Sequence, residues 1–553
     1  MRDGTHLATD LYLPKDGHRH PTILVRLPYD KSGRYTFLPR IAPFFTERGY
    51  AFVVQDVAGK FRSEGETFPF VREVPDGYDT IEWITRQSWS NGALGMWGDS
   101  YYGFTQWAAV ASGHRALRAI APCVIAVEVP GLRRCRASQR RLPPPYAHWP
   151  EGIPPLYIAD YFAHYWVDAG IYAFTVDWSH RPLVEVFDEA FRAIGRRSAA
   201  ADEFFADGPR RLTTRHVYHG AHPLTLLRVP ALHGGGWFDN LAPYQMQDFM
   251  ALQSRPMGVP QYLHMDATDH EGYLLDDLPI TDPKDHLLND EALARFLPRY
   301  LRAALEFFDV HLAGRRARPI PRVRWNQGHV GWQEAERWPP PGAREVRFYL
   351  ASPENAIASV EGGALAAEPE DRPCAAEWTH DPECPVPSTV ADPFSFLRED
   401  PDERSVEERA DVPTFTSEPF ERPLDLTGPV CLVGSAASSG SCAPLFAKLL
   451  DVAPDGSARM VARGQILLNV EGGEESFRLE LGHVGYRIRS GHRLRLHLAA
   501  SDFPLYALCP GTADNPWTWT RGAPTRQWVR TGGVRPAHLR VWVSDAVKED
   551  GLP

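Results

Sequence analysis

Apolar positions in the first 126 residues fall into short uninterrupted runs separated by stretches with helical spacing. Asp3-Gly-Thr-His-Leu-Ala-Thr-Asp-Leu-Tyr-Leu-Pro14 alternates polar and apolar residues after a turn signal and predicts an amino-terminal strand. Pro21-Thr-Ile-Leu-Val-Arg-Leu-Pro28 is nearly continuous in apolar residues, the pattern of a strand covered on both faces. Helices are predicted around Ile41 to Arg48 and Asp79 to Arg86, with strands over Tyr50 to Asp56 and Gly95 to Gly98. A further helix begins at Ser100, and Leu117 to Pro122 returns to strand. This alternation predicts a doubly wound α/β sheet. From 127 to 222 the sequence turns basic and Pro-rich, then aromatic and helical, and predicts a helical insertion capping the sheet. Strand patterns resume at Val229 to Asp239 and Gln261 to Met265, and a helix over Leu293 to Leu312 closes the domain. Beyond about 318 come short alternating runs such as Arg344 to Leu350, Ala447 to Val452 and Arg493 to Leu498, separated by Pro, Gly and Asp. They predict an all-β jelly-roll domain, with the acidic Glu368 to Val412 stretch mostly a long surface loop. The expected division is an α/β domain in two parts, 1–126 and 223–317, a cap over 127–222 and a β domain over 318–553.

Composition narrows the chemistry by exclusion. A chain of 553 residues exceeds what one core supports, and 43% apolar with 23% charged residues is ordinary for a soluble globular protein. The net charge of −11 gives no electrostatic reason to expect a nucleic-acid or anionic-membrane partner. With no apolar run long enough to span a bilayer and no hydrophobic amino-terminal segment, the expected location is cytoplasmic. The 7 cysteines form no Cys-x-x-Cys pair, so neither a zinc site nor a disulfide framework is indicated, although Cys374 and Cys384 are near enough in sequence to bridge. No metal or cofactor is expected. A homodimer is compatible with the sequence but not specified by it.

The chemistry centres on Leu94-Gly-Met-Trp-Gly-Asp-Ser-Tyr-Tyr-Gly-Phe-Thr-Gln-Trp, where a strand meets a helix at Ser100. A tight bend there needs small residues, supplied by Gly98 and Gly103. The pattern is Gly-x-Ser-x-x-Gly; the commoner nucleophile elbow has glycine two residues after the serine, where this chain has Tyr102. A serine hydroxyl needs an imidazole to take its proton and an acid to hold the imidazole in one tautomer. Asp239 ends the Gly-Gly-Gly-Trp-Phe-Asp turn and His270 lies in Asp266-Ala-Thr-Asp-His-Glu-Gly272, both after predicted strands and in the order Ser, Asp, His. His264, a rival base, falls within a strand pattern, and Asp99 diverges from Ser100 on the bend. An oxyanion needs two donors. The backbone N–H of Tyr101 is one, and the phenol of Tyr29, just after the first buried strand, is nominated as the other.

Several motifs add a family resemblance. Asp76-Gly-Tyr-Asp-Thr-Ile-Glu-Trp83, Trp89-Ser-Asn-Gly92, the Gly98-x-Ser-Tyr-x-Gly103 elbow, Gly235-Gly-Trp-Phe-Asp239, Asp381-Pro-x-x-Pro-Val-Pro387 and Ser501-Asp-Phe-Pro504 together resemble the cocaine-esterase-type (CocE/NonD) serine hydrolases. That family includes X-prolyl dipeptidyl aminopeptidases, α-amino-acid ester hydrolases and glutaryl-cephalosporin acylases. The resemblance implies an α/β-hydrolase fold with a helical cap and a jelly roll, a triad of Ser100, Asp239 and His270, and an oxyanion hole that includes Tyr29. Two stretches depart from the family pattern: Asp56-Val-Ala-Gly59 stands in place of Asp-x-Arg-Gly, and Ala267-Thr-Asp-His270 in place of Trp-x-His. Leu241 and Ala242 occupy the positions where the amino-acid ester hydrolases hold a substrate ammonium with carboxylates, so that route to a free α-amino group is absent.

The expected activity is hydrolysis of a small-molecule acyl ester, or an amide, through an acyl-enzyme. Two alternatives use the same triad: an acyltransferase or cyclase that passes the acyl group to an amine or alcohol, and an X-prolyl dipeptidyl aminopeptidase. A third, a catalytically dead protein that binds carbohydrate through its jelly roll, sits poorly with a complete set of triad residues.

Overall fold

The computed structural model describes the chain except residues 129–151, 168–174, 198–216 and 548–553 and positions 196, 257, 316–318, 358, 360, 472, 513 and 546. Most of the predicted cap lies outside the described residues; within it, helices span Leu156–Val167 and Val184–Ile194.

Nine strands form the first sheet: β1 (Thr9–Tyr12), β2 (His20–Leu27), β3 (Ala51–Asp56), β4 (Ser90–Asp99), β5 (Leu117–Cys123), β6 (Ala231–Gly236), β7 (Gln261–Asp266), β8 (Val323–Gln327) and β9 (Gly331–Ala335). Their order is β1-β3-β2-β4-β5-β6-β7-β8-β9. Pairing is parallel from β3 through β8 and antiparallel at both edges, between β1 and β3 and between β8 and β9. The runs read as doubly covered strands are the central ones, and β3 is buried at every position. Helices α1 (Leu38–Thr46), α2 (Glu73–Thr85) and α3 (Ser100–Ser112) connect the early strands. The last helix of this domain spans Asp290–His311, and the Asn289 side chain caps it by accepting from the amides of Glu291 and Ala292.

Two expectations need correction. The first sheet does not end at 317: β8 pairs with β7 and β9 with β8, so residues through 335 belong to it. A short hairpin past a long helix carries the same alternating pattern as the β domain that follows. The Glu368 to Val412 stretch is largely irregular, as expected, but it does not stay on the surface. It contains a strand, Ala375–His380, and buries Val386, Val390, Phe396, Leu397 and Val406. Cys374 and Cys384 are both free thiols.

The remaining strands make one 11-stranded set with long antiparallel pairs, notably Leu424–Ser438 with Glu475–Ile488 and Cys442–Val452 with Ala458–Asn469. It meets the cap through Leu156 N–H to the Leu505 carbonyl at 2.8 Å and Ala507 N–H to the Pro154 carbonyl at 2.8 Å. Among the described residues no helix is long and apolar enough to cross a membrane.

A buried ion pair bears on the bend at Ser100. Arg26, fully buried on β2, donates to Glu73 of α2 at 2.9 Å and to Gln55 of β3 at 2.8 Å. Glu73 also accepts from the Tyr101 hydroxyl at 2.9 Å, and that hydroxyl accepts the Phe70 amide at 2.7 Å. The network fastens strand, flanking helix and the start of α3 to one another. Removing one member leaves a buried guanidinium uncompensated, so Glu73→Ala should cost about 3–5 kcal/mol, read as a lower urea midpoint, whereas a surface ion pair would cost under about 1 kcal/mol.

Candidate active site

Ser100 stands where β4 passes into α3, with φ of 48°, in the left-handed region that non-glycine residues rarely occupy. Gly98 has φ of 136°, and a Cβ there would meet the Tyr102 ring at 2.0 Å. A Cβ on Gly103 would meet Ile125 at 2.6 Å. These contacts explain the unusual glycine spacing: the Tyr102 ring occupies the space beside Gly98, and the close helix-to-strand approach falls one residue later, at Gly103. Gln106 braces the bend from inside, donating to the Gly98 carbonyl at 3.0 Å and accepting the Ala121 amide at 2.9 Å.

Asp239 and His270 follow β6 and β7, and adjacent parallel strands deliver them to one end of the sheet. His270 Nδ1 lies 2.8 Å from Asp239 Oδ1, with the two side chains 7% and 0% exposed. Asp239 Oδ1 also accepts the Leu241 amide at 3.0 Å. The departure from Trp-x-His is compensated by Asp269, whose carboxylate accepts the amides of Tyr273 at 3.0 Å and Leu397 at 2.9 Å. Phe394 covers the His270 ring at 4.9 Å between centroids. The stretch expected to be a surface loop therefore supplies both an anchor and a wall.

Ser100, His270 and Tyr29 line one cavity of about 130 Å³. The Tyr29 hydroxyl faces the Ser100 cavity and lies 3.5 Å from the hydroxyl of Tyr161, on a cap helix. Burial pushes its pKa up to about 12, so it stays a protonated donor. The Tyr101 side chain points into the Arg26 and Glu73 network, while its backbone N–H lies in the first turn of α3, where amides have no helical acceptor. Asp99 is bonded by the Tyr300 hydroxyl, and burial raises its pKa to about 6. His264 stacks on Trp332 at 4.5 Å, and burial lowers it to about 4, a neutral ring held in the sheet.

Sequence reasoning missed Glu271. Its carboxylate lines the same cavity and accepts from the Tyr35 hydroxyl at 2.8 Å. Its only sequence signal was its place immediately after the histidine. Burial disfavours a charged His270, but Asp239 first, then Glu271 and Asp99, outweigh it and raise the imidazole to about 9. Among the described residues no group of three or more His, Cys, Asp or Glu side chains is arranged to hold a metal.

Residues 3–131 match the X-Pro dipeptidyl-peptidase (S15) family, and residues 316–540 match the X-Pro dipeptidyl-peptidase C-terminal non-catalytic domain. A cocaine esterase from Rhodococcus sp. (strain MB1 Bresler) is 28% identical, with 92% of this chain and 90% of that protein covered. The chain thus carries both S15-family regions and is similar over most of its length to the cocaine-esterase-type serine hydrolases. Two solved structures share its fold over nearly its whole length. An α-amino-acid ester hydrolase has a TM-score of 0.76 at 24% identity, covering 98% of this chain and 95% of that one. An aminopeptidase from a marine sediment archaeon, Thaumarchaeota archaeon, has a TM-score of 0.75 at 21% identity, again covering 98% and 95%.

The carboxylates around His270 make a prediction independent of any assigned role. Histidine NMR should place the His270 titration near 9, and Glu271→Gln, by removing a carboxylate that favours the imidazolium, should move it to lower pH. An unmoved or rising midpoint would show that Glu271 is not felt by the ring.

Proposed function

We propose that this chain is a serine-dependent carboxylic ester hydrolase that works through an acyl-enzyme on Ser100. The observation that carries the reading is the pairing of a buried, carboxylate-oriented imidazole with a serine held on a strained bend, in one cavity. In the proposed reaction the Ser100 hydroxyl oxygen attacks the substrate carbonyl carbon while His270 Nε2 takes its proton. Asp239, bonded to Nδ1, keeps that tautomer and stabilises the imidazolium. The carbonyl oxygen becomes an oxyanion, bonded by the Tyr29 hydroxyl and the Tyr101 amide. Collapse breaks the bond to the leaving alcohol, which receives the proton from His270. Water then attacks the acyl-enzyme by the same route, releasing the carboxylic acid and restoring the Ser100 hydroxyl.

A neutral acyl ester is the substrate class favoured. An alkoxide leaving group asks less of the acid than an amine does, and Leu241 and Ala242 offer no carboxylate for a free α-amino group. The proposal extends to a cytoplasmic enzyme acting on small molecules without nucleic-acid or membrane partners, supported by the net charge of −11. A homodimer remains compatible with it.

The oxyanion assignment gives the test. Tyr29→Phe removes one donor aimed at charge that appears mainly in the transition state. Turnover of an aryl ester should fall about 100- to 1,000-fold, with a much smaller change in KM. An effect confined to KM would make Tyr29 a pocket wall and leave the oxyanion hole to backbone amides.

A further inference from the structure

A second cavity, of about 580 Å³, lies between the helix Ala242–Gln253 and the strands Ala458–Asn469 and Glu475–Ile488. It shares no lining residue with the cavity that holds Ser100. Its walls are largely apolar, with Trp237, Phe238, Met250, Phe396 and Met460 among them. Polar side chains, among them Gln247, Gln465 and His483, interrupt these walls.

Arg463 is the central one. Its side chain is 16% exposed, and its nearest carboxylate, Asp502, stands 3.8 Å away, beyond hydrogen-bond distance. Asp502 is also held by Lys448 at 3.3 Å, and Lys448 bonds to Glu403 at 3.1 Å, so both acids behind Arg463 are shared with another cation. Burying a guanidinium is costly unless its N–H groups find acceptors, and among the described residues the Arg463 guanidinium meets no carboxylate closer than that 3.8 Å contact. The Tyr506 hydroxyl lies beside it in the cavity, backed by Tyr157. Asn240 adjoins them beside the Tyr157 hydroxyl, its polar side-chain atoms sealed from solvent and, among the described residues, without a partner of good hydrogen-bond geometry. The other charges in the lining are already engaged: Arg478 pairs with Glu480, and Asp239 with His270.

We propose that this cleft is a binding site for an organic monocarboxylate with an apolar tail. The planar fork of Arg463 matches a carboxylate in bidentate fashion, a phenol can donate beside it, and the aromatic and thioether walls take the tail. Phosphate or another compact dianion would leave those walls unused.

Titration calorimetry on the full chain with benzoate, and with its uncharged isostere benzamide, tests the site. Benzoate should bind saturably at millimolar concentration, with benzamide weaker by about tenfold or more, as expected for losing a charge-assisted pair. Arg463→Gln should weaken benzoate by a similar factor. Should that variant fail to fold, Met460→Trp tests the same cleft by filling it, and should weaken benzoate and benzamide alike. Tyr29→Phe, in the other cavity, should leave benzoate binding unchanged. The proposal is overturned if benzoate does not saturate, if binding persists in both cleft variants, or if it is lost in Tyr29→Phe, which would place benzoate in the Ser100 cavity.

Discussion

Everything at the candidate site depends on one strained residue. A serine at φ of 48° costs about 1–3 kcal/mol and persists only where its surroundings leave it no alternative. Here the surroundings act on both sides of the bend. Tyr102 and Ile125 crowd the two glycines, so the chain cannot relax by shifting the strand away from the helix. Gln106 ties the Gly98 carbonyl to the Ala121 amide, joining the end of β4 to β5. One residue past the serine, the Tyr101 hydroxyl enters the buried ion pair of Arg26 and Glu73, which fixes α3 against β2 and α2. The strain is held by core packing and buried hydrogen bonds, and the serine hydroxyl is left free for chemistry.

Charge is arranged with similar economy around His270. Asp239 is the carboxylate in direct contact, but Asp99 and Glu271 face the same ring from the strand end and from its own loop. Burial disfavours the charged forms of Asp99 and Glu271, while the Tyr300 and Tyr35 hydroxyls occupy and partly stabilise them, and Asp239 is the carboxylate hydrogen-bonded to the imidazole. The result is an imidazole of raised basicity, which stabilises the imidazolium once formed; the ring takes the serine proton only from its neutral form, the minor form at neutral pH for a group near 9. The β-rich domain takes part directly: Phe394 covers the ring and the Leu397 amide anchors the loop beside it. Two domains thus meet over one histidine.

What the sequence revealed followed from which interactions are local. Central parallel strands are apolar on both faces, so β2 and β3 were legible as continuous runs. The positions of Ser100, Asp239 and His270 could be read because each stands beside a turn signal at a strand end, and their chain order fits the fold. The hairpin 323–335 was misplaced because alternation marks an antiparallel edge in either domain. The segment around Phe394 and Leu397 was misread because its Asp, Glu and Pro content dominates the local pattern, while the few apolar residues that bury it are spaced without period. Glu271 and Arg463 were illegible for a different reason. Their meaning lies in which groups face them across the fold, and no local pattern encodes that.

The most direct measurement is covalent trapping of the nucleophile. The full chain is treated with a fluorophosphonate, its intact mass recorded, and the modified peptide sequenced while ester hydrolysis is followed in the same sample. The expected result is a single adduct on Ser100, with activity lost in proportion to its formation and no adduct on Ser100→Ala. Full ester turnover by a stoichiometrically labelled protein, or an adduct on another residue that accounts for the loss, would contradict an acyl-enzyme on Ser100.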